Sequence, residues 1–164
     1  MGTGFSFELV NAEDYDALRP DYAPEAVAWL VDRCGLADGS LVVDLASGTG
    51  RLSRRFADTH VRVVAVEPAR NMRAVIRARL PAVRAIDGSA EAIPLGDGEA
   101  HTVVVGNAFH HFDADRAFAE IQRILRPGGA IALFWAWPGR TAWPGFRGLA
   151  RWMRRSGVFG RRRR

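Results

Sequence analysis

Strand-sized apolar runs alternate with helix-patterned segments from residue 24 to residue 137. A chain written this way has few means of burying both kinds of surface. "PEAVAWLVDRC" (24–34) predicts a first helix, with Pro24 in its first turn and Gly35 just past its end. "LVVDLA" (41–46), bounded by Gly39 and Gly48, reads as a buried strand. A helix over 50–57, a strand over 61–67, a helix over 69–79 and a short strand over 83–87 follow. Then come a strand over 101–107, a helix over 113–125 stopped by "RPGG", and a fifth strand over 130–137. Strands and helices alternating at this pitch imply βαβ units. The predicted fold is therefore α/β, a doubly wound and mainly parallel sheet with helices on both faces.

With 164 residues, 48% of them hydrophobic and 25% charged, the chain has the make-up of one ordinary globular domain. No apolar run is bilayer-length. The acidic start "MGTGFSFELVNAEDYD" argues against export, and the single cysteine, Cys34, forms no internal disulfide. A cytoplasmic protein is expected. The net charge of +5 divides unevenly. Residues 1–139 carry fourteen arginines against all eighteen acids, a net −4, while residues 140–164 carry nine arginines and no acid. The expected organisation is a domain over 1–139 and a basic tail over 140–164. In that tail Phe146, Leu149, Ala150 and Met153 share a helical face opposite several arginines.

In a doubly wound sheet, ligands sit beyond the carboxyl ends of the strands where strand order reverses. "VVDLASGTGRL" (42–52) places a small-residue loop there. Gly48 and Gly50 permit a tight turn and close approach of a ligand. Glu67 ends the next strand, where a carboxylate can accept a ribose diol. A triphosphate loop requires Lys and Ser or Thr after its glycines, and this chain contains no lysine. A dinucleotide loop requires a third glycine, and Ser53 stands there. Asp44, four residues before Gly48, would repel a pyrophosphate on the same turn but tolerate an ammonium or sulfonium. The expected ligand is a cofactor without phosphates.

"VVDLASGTGRLS" resembles the first motif of the class I S-adenosylmethionine-dependent methyltransferases. The resemblance continues in order through "VVAVEPARNM", "GSAEAIPL", "NAFHHFD" and "ILRPGG". "YDALRPDY" is similar to the N-terminal segment of the small-molecule branch that includes ubiquinone/menaquinone methyltransferases. The resemblance implies a Rossmann-like domain binding S-adenosyl-L-methionine. Asp44, Ala46, Gly48 and Gly50 would frame its methionine portion. Glu67 would hold the ribose hydroxyls, and Pro68 and Met72 would lie against the adenine. Ser89 stands where many relatives place an aspartate contacting the adenine, followed by Ala90. Asn107, Ala108 and Phe109 would lie beside the transferable methyl. Tyr15 and Arg19 resemble residues that close over the cofactor, with Arg19 as partner of its carboxylate.

His110 is the candidate for a catalytic base, since an imidazole can take a proton near neutral pH. Methyl transfer from an activated sulfonium can also proceed by positioning alone. No Cys/His spacing suggests a metal. Trp135, Trp137 and Trp143 read as core or edge packing before substrate contacts. The arginine tail lacks the folded basic surface and interleaved aromatics of a nucleic-acid binder. As a basic amphipathic helix it could touch an anionic membrane, a reading not favoured.

Class I methyltransferases usually end in an antiparallel hairpin beside the fifth strand, and this chain stops too soon for it. "AIALFWAW" is thus expected at an open edge, leaving Phe134, Trp135 and Trp137 poorly covered and inviting self-association. The expected function is methyl transfer to a small organic acceptor. The alternative is a non-catalytic cofactor-binding or self-associating remnant.

Overall fold

A computed structural model describes residues 21–136. Its elements, in chain order, are α1 (Pro24–Arg33), β1 (Leu41–Leu45), α2 (Arg51–Ala57), β2 (Arg62–Val66), α3 (Arg70–Arg79) and β3 (Arg84–Ile86). They are followed by β4 (Ala100–Gly106), a 3₁₀ turn (Phe109–His111), α4 (Ala114–Ile124) and β5 (Leu125–Phe134). The sheet order is β3-β2-β1-β4-β5 and every pairing is parallel. Strand order reverses between β1 and β4, so the loops after those strands flank the crevice where such folds take ligands.

The central strand explains the layering. All five residues of β1 are buried, because successive side chains face opposite layers and both layers are covered. Leu41, Val43 and Leu45 join Ala117, Ile121 and Ile124 of α4 in one core. Val42 joins Val27 and Leu30 of α1, Leu52 and Phe56 of α2 and Ile76 of α3 in the other. Asp113 starts α4, its carboxylate accepting the Arg116 N–H at 3.3 Å. That is the side-chain cap expected of an aspartate in that position.

Both boundaries of the fifth strand depart from expectation, its end lying at Phe134 and not at 137. β5 begins at Leu125, five residues before the predicted start, and "RPGG" lies inside the strand. Leu125 pairs with Ala100 and Ala130 pairs with Thr102, so the four residues of β5 between these pairs face a single residue of β4, His101. Pro127 offers no N–H to the ladder, and Gly128 takes a φ of +79°. The segment ends α4 and also forms a bulge that restores register at Ala130.

Among the described residues β5 is an edge strand. Phe134 and Trp135 are half-buried rather than bare. Phe134 meets Tyr22 and Phe56 edge-on, at ring separations of 6.0 and 6.3 Å. Trp137, Trp143 and the tail over 140–164 lie outside the described residues. No helix among those described is long and apolar enough to cross a membrane.

Candidate functional site

Two acids approach each other beyond the middle of the sheet. Asp44 is the penultimate residue of β1, in register with Ala65 and Val104, and is 1% exposed. Its Oδ2 accepts the Ser53 hydroxyl at 2.6 Å. Burial pushes the Asp44 carboxyl up to about 7, against the Ser53 hydroxyl and N–H, and the charge of Glu67 adds to the rise. Glu67 follows β2 and is also buried. Its Oε2 accepts the Gly48 N–H at 2.8 Å and its Oε1 accepts the Ala69 N–H at 2.9 Å. Burial raises Glu67 too, opposed by these two N–H groups and by Arg73.

The glycine loop divides its work. Gly48 has φ +57°, and a Cβ there would meet nothing within 4 Å. Its open side is the one from which a ligand can approach. Gly50, with φ +82°, has another reason to lack a side chain. A Cβ there would lie 2.9 Å from Ile76 Cγ1 and 3.0 Å from Leu80 Cδ1. The expectation of close ligand approach thus belongs to Gly48, and Gly50 serves the packing of α2 on α3. Ala46 and Asn107 are the two non-glycine residues with positive φ among those described, each at +54°. They follow β1 and β4, on the two sides of the strand-order reversal. Left-handed backbone at non-glycine positions is strained and clusters at functional sites.

Around this centre the other sequence candidates fall as follows. Pro68 is exposed beside Glu67, whereas Met72 is 1% exposed. Ser89 exchanges backbone hydrogen bonds with Ala92, both at 3.3 Å, and Ala90 is buried in the α4 core. Asn107 is engaged with the end of β5. Its Oδ1 accepts the Ala136 N–H at 3.1 Å, and its Nδ2 donates to the Ala136 carbonyl at 3.4 Å. Ala108 is half-buried. Phe109 turns into the core, its ring 5.5 Å from Phe112 and 5.3 Å from Phe118. It therefore anchors the 3₁₀ turn rather than opening onto the crevice. His110 and His111 are both exposed, their ring centroids 3.8 Å apart. Tyr15 and Arg19 lie outside the described residues.

Three residues were not read as site residues from the sequence. Ser53 drew notice only as a missing glycine, yet its hydroxyl satisfies Asp44. Ser47 donates its N–H to Val66 at 3.2 Å, while its buried Oγ has no partner among the described residues. Arg73 donates from Nη1 to the carbonyls of Glu67 and Pro68. A serine in the first turn of the helix behind the glycine loop was the available signal for Ser53. Nothing in the sequence marks Arg73 among its neighbouring arginines.

Upstream of α1, Asp21 pairs with Arg51 at 3.9 Å and Arg54 at 3.1 Å, and closely with Arg55. Partial burial raises its carboxyl, but the Tyr22 N–H and the three arginines hold it below the usual range. Tyr22 lies over Gly106, where a Cβ would come within 2.9 Å of its Cζ. Asp21 and Tyr22 are thereby seated against α2 and the end of β4. No group of three or more His, Cys, Asp or Glu among the described residues could hold a metal ion.

A model of the methyltransferase domain family matches residues 43–133. An uncharacterized methyltransferase of Mycobacterium tuberculosis is 44% identical over 121 residues, covering 74% of this chain and 48% of that protein. A demethylmenaquinone methyltransferase of Renibacterium salmoninarum is 32% identical over 105 residues, covering 63% and 44%. The chain spans about half the length of the curated relatives it matches. Among solved structures, the glycopeptide N-methyltransferase MtfA complexed with sinefungin superposes with a TM-score of 0.60. It is 26% identical and covers 70% of this chain and 50% of its own.

Proposed function

Because the chain belongs to the methyltransferase domain family, we propose that its crevice binds S-adenosyl-L-methionine and supports transfer of its methyl group to a small organic acceptor. The observation that carries this reading is the pair of buried acids beside an open glycine. Asp44 offers a carboxylate to a cationic end, Glu67 offers one to a diol, and Gly48, bound to Glu67 through its N–H, has an open side. These donors and acceptors fit a phosphate-free nucleoside cofactor, since two carboxylates facing one loop repel phosphate. Bound there, S-adenosyl-L-methionine would supply an activated methyl whose carbon an acceptor nucleophile attacks in line with the C–S bond, S-adenosylhomocysteine leaving as the neutral thioether and the acceptor's proton passing to a base or solvent.

The chain's own residues then have separate tasks. Asp44 holds the ammonium end, with Ser53 fixing the carboxylate's direction. Glu67 orients the ribose hydroxyls while staying tied to Gly48. Pro68 and Met72 border the base, with Ser89 and Ala90 beyond them. Asn107 and Ala108 border the methyl from the end of β4. His110, exposed on its 3₁₀ turn, would take up an acceptor's proton. Positioning is the larger contribution asked of the site, because the sulfonium is already activated.

The relatives, methyltransferases by name, support this reading over a non-catalytic module. Self-association through β5 remains part of the proposal. A groove of about 620 Å³ runs between α1 and β5, lined by Trp29, Cys34, His101 and Ile131 among others. Trp29 is 64% exposed beside it. A cytoplasmic location is likewise proposed.

Isothermal titration with S-adenosyl-L-methionine and, separately, S-adenosylhomocysteine tests the reading. Binding that Glu67→Ala weakens by about tenfold or more is expected. A folded protein that binds neither compound would overturn it.

A further inference from the structure

Arg73 is buried on α3, at 7% exposure, although the anion it meets, Asp87, is 74% exposed along its side chain. So exposed an ion pair recovers little of the cost of burying a guanidinium. The remaining bonds of Arg73 converge on one short stretch of backbone. Nη1 donates to the Glu67 carbonyl at 2.7 Å and the Pro68 carbonyl at 2.6 Å, besides Asp87 at 3.0 Å. Two consecutive carbonyls are thus turned toward α3. The Ala69 N–H is free to meet Glu67 Oε1, and the other oxygen reaches Gly48. Asp87, at the end of β3, ties the same guanidinium to the next strand.

From this geometry we infer that Arg73 is the positioning residue for the Glu67 carboxylate, fixing the Glu67–Pro68 turn so that the carboxylate faces a ribose diol. The inference rests on the reading of Glu67 as the ribose-binding acid. Arg73 touches no ligand atom in this scheme and acts through Glu67. A merely structural arginine would weaken binding of all ligands alike. A positioning arginine affects specifically those that present the diol.

Titration with S-adenosylhomocysteine and its 2′-deoxy analogue separates the two. The unaltered chain is expected to prefer the intact diol by about tenfold. Arg73→Met should weaken S-adenosylhomocysteine by about fivefold or more while moving the deoxy analogue by less than about twofold, so the preference collapses. Equal weakening of both, or an unchanged preference, overturns the inference. Glu67→Gln run in parallel identifies which premise fails. If it leaves the preference intact, the Glu67 reading falls and this inference with it. If it abolishes the preference while Arg73→Met does not, only the role of Arg73 falls. Should Arg73→Met not fold, Arg73→Lys serves, because the shorter lysine side chain stops its ammonium short of the point where Nη1 meets both carbonyls and Asp87, and it lacks the fixed plane of the guanidinium. Its preference should drop by about threefold, and an undiminished preference again overturns the inference.

Discussion

Glu67 accepts the Gly48 N–H at 2.8 Å, tying the end of β2 to the loop that follows β1. Nineteen residues separate the two, and the parallel pairing of β1 with β2 brings them together. The acid proposed to receive a ribose therefore also holds the glycine with an open side.

The two loop glycines should respond differently to alanine. At Gly48 a Cβ enters open space, so the cost is the positive φ alone, about 1 kcal/mol. At Gly50 the same strain adds to overlap with Ile76 and Leu80. Gly50→Ala is expected to lose about 2–4 kcal/mol in urea unfolding. Gly48→Ala should stay folded and bind S-adenosylhomocysteine at least about tenfold more weakly. Equal stability of the two variants would contradict this division.

Asp44 links stability to pH. Its carboxyl stands at about 7 in the folded chain against 3.8 ordinarily, so the folded state binds the proton more tightly. Its contribution to stability is therefore fully present below about pH 4 and is lost as pH rises through 7. Asp44→Asn should be more stable than the unaltered chain at pH 8, by up to about 4 kcal/mol, with little difference at pH 4. The same change should weaken cofactor binding. In the unaltered chain, affinity for S-adenosyl-L-methionine should rise from pH 6 to pH 8 as Asp44 ionises. Thermal unfolding and titration across that range check both statements.

Glu120 has the opposite sign. Arg123 donates to it from Nε and Nη2, both at 2.8 Å, and it accepts the Ile93 N–H at 2.8 Å. The Arg123 hydrogen bonds, followed by that N–H, hold its carboxyl at about 2 against 4.5 ordinarily. The stabilisation is complete above about pH 4.5 and is lost as pH falls toward 2. Arg123 also donates to the carbonyls of Ile93 and Leu95, both at 2.8 Å. Glu120→Gln should flatten the acid limb of the stability profile. Arg123→Met should cost about 2 kcal/mol at pH 7. Faster amide exchange over residues 93–97 would accompany the loss.

Gly106 and Tyr22 form a tight pair at the end of β4. A Cβ on Gly106 would overlap the Tyr22 hydroxyl end, and Leu52 Cδ2 lies 3.3 Å away. Gly106→Ala should cost about 2 kcal/mol by displacing Tyr22 from its place against Phe134. Tyr22→Phe in the same chain removes the hydroxyl and should recover part of that loss. A double-mutant cycle with strictly additive effects would show the two residues to be uncoupled.

Much of the fold was written locally. The runs 41–46, 61–67 and 101–107 are short, apolar and bounded by turn residues, and each forms its strand within a residue or so of the expected limits. Pro24 and Gly35 bracket α1 for the same local reason. β5 was misplaced at its start because helix stop and strand bulge share the letters "RPGG". Only pairing with β4 tells them apart.

The site was legible where residue type alone restricts the chemistry. Without lysine no triphosphate loop can form, and an acid before a glycine turn disfavours pyrophosphate whatever the fold does around it. Other roles came from distance in three dimensions. Gly50 packs on α3, Phe109 turns into the core, Asn107 is occupied by Ala136, and Arg73 reaches the Glu67 turn. Each depends on a partner from another element, so its sequence neighbours carry no trace of it. By itself the sequence determined the alternation of elements and which acid and glycine types stand along the loop, because backbone preference and side-chain chemistry are properties of the residues. The tertiary structure decided which carboxylate is buried, which glycine faces open space and which arginine is a brace, because burial and hydrogen-bond partners exist only once the strands are packed.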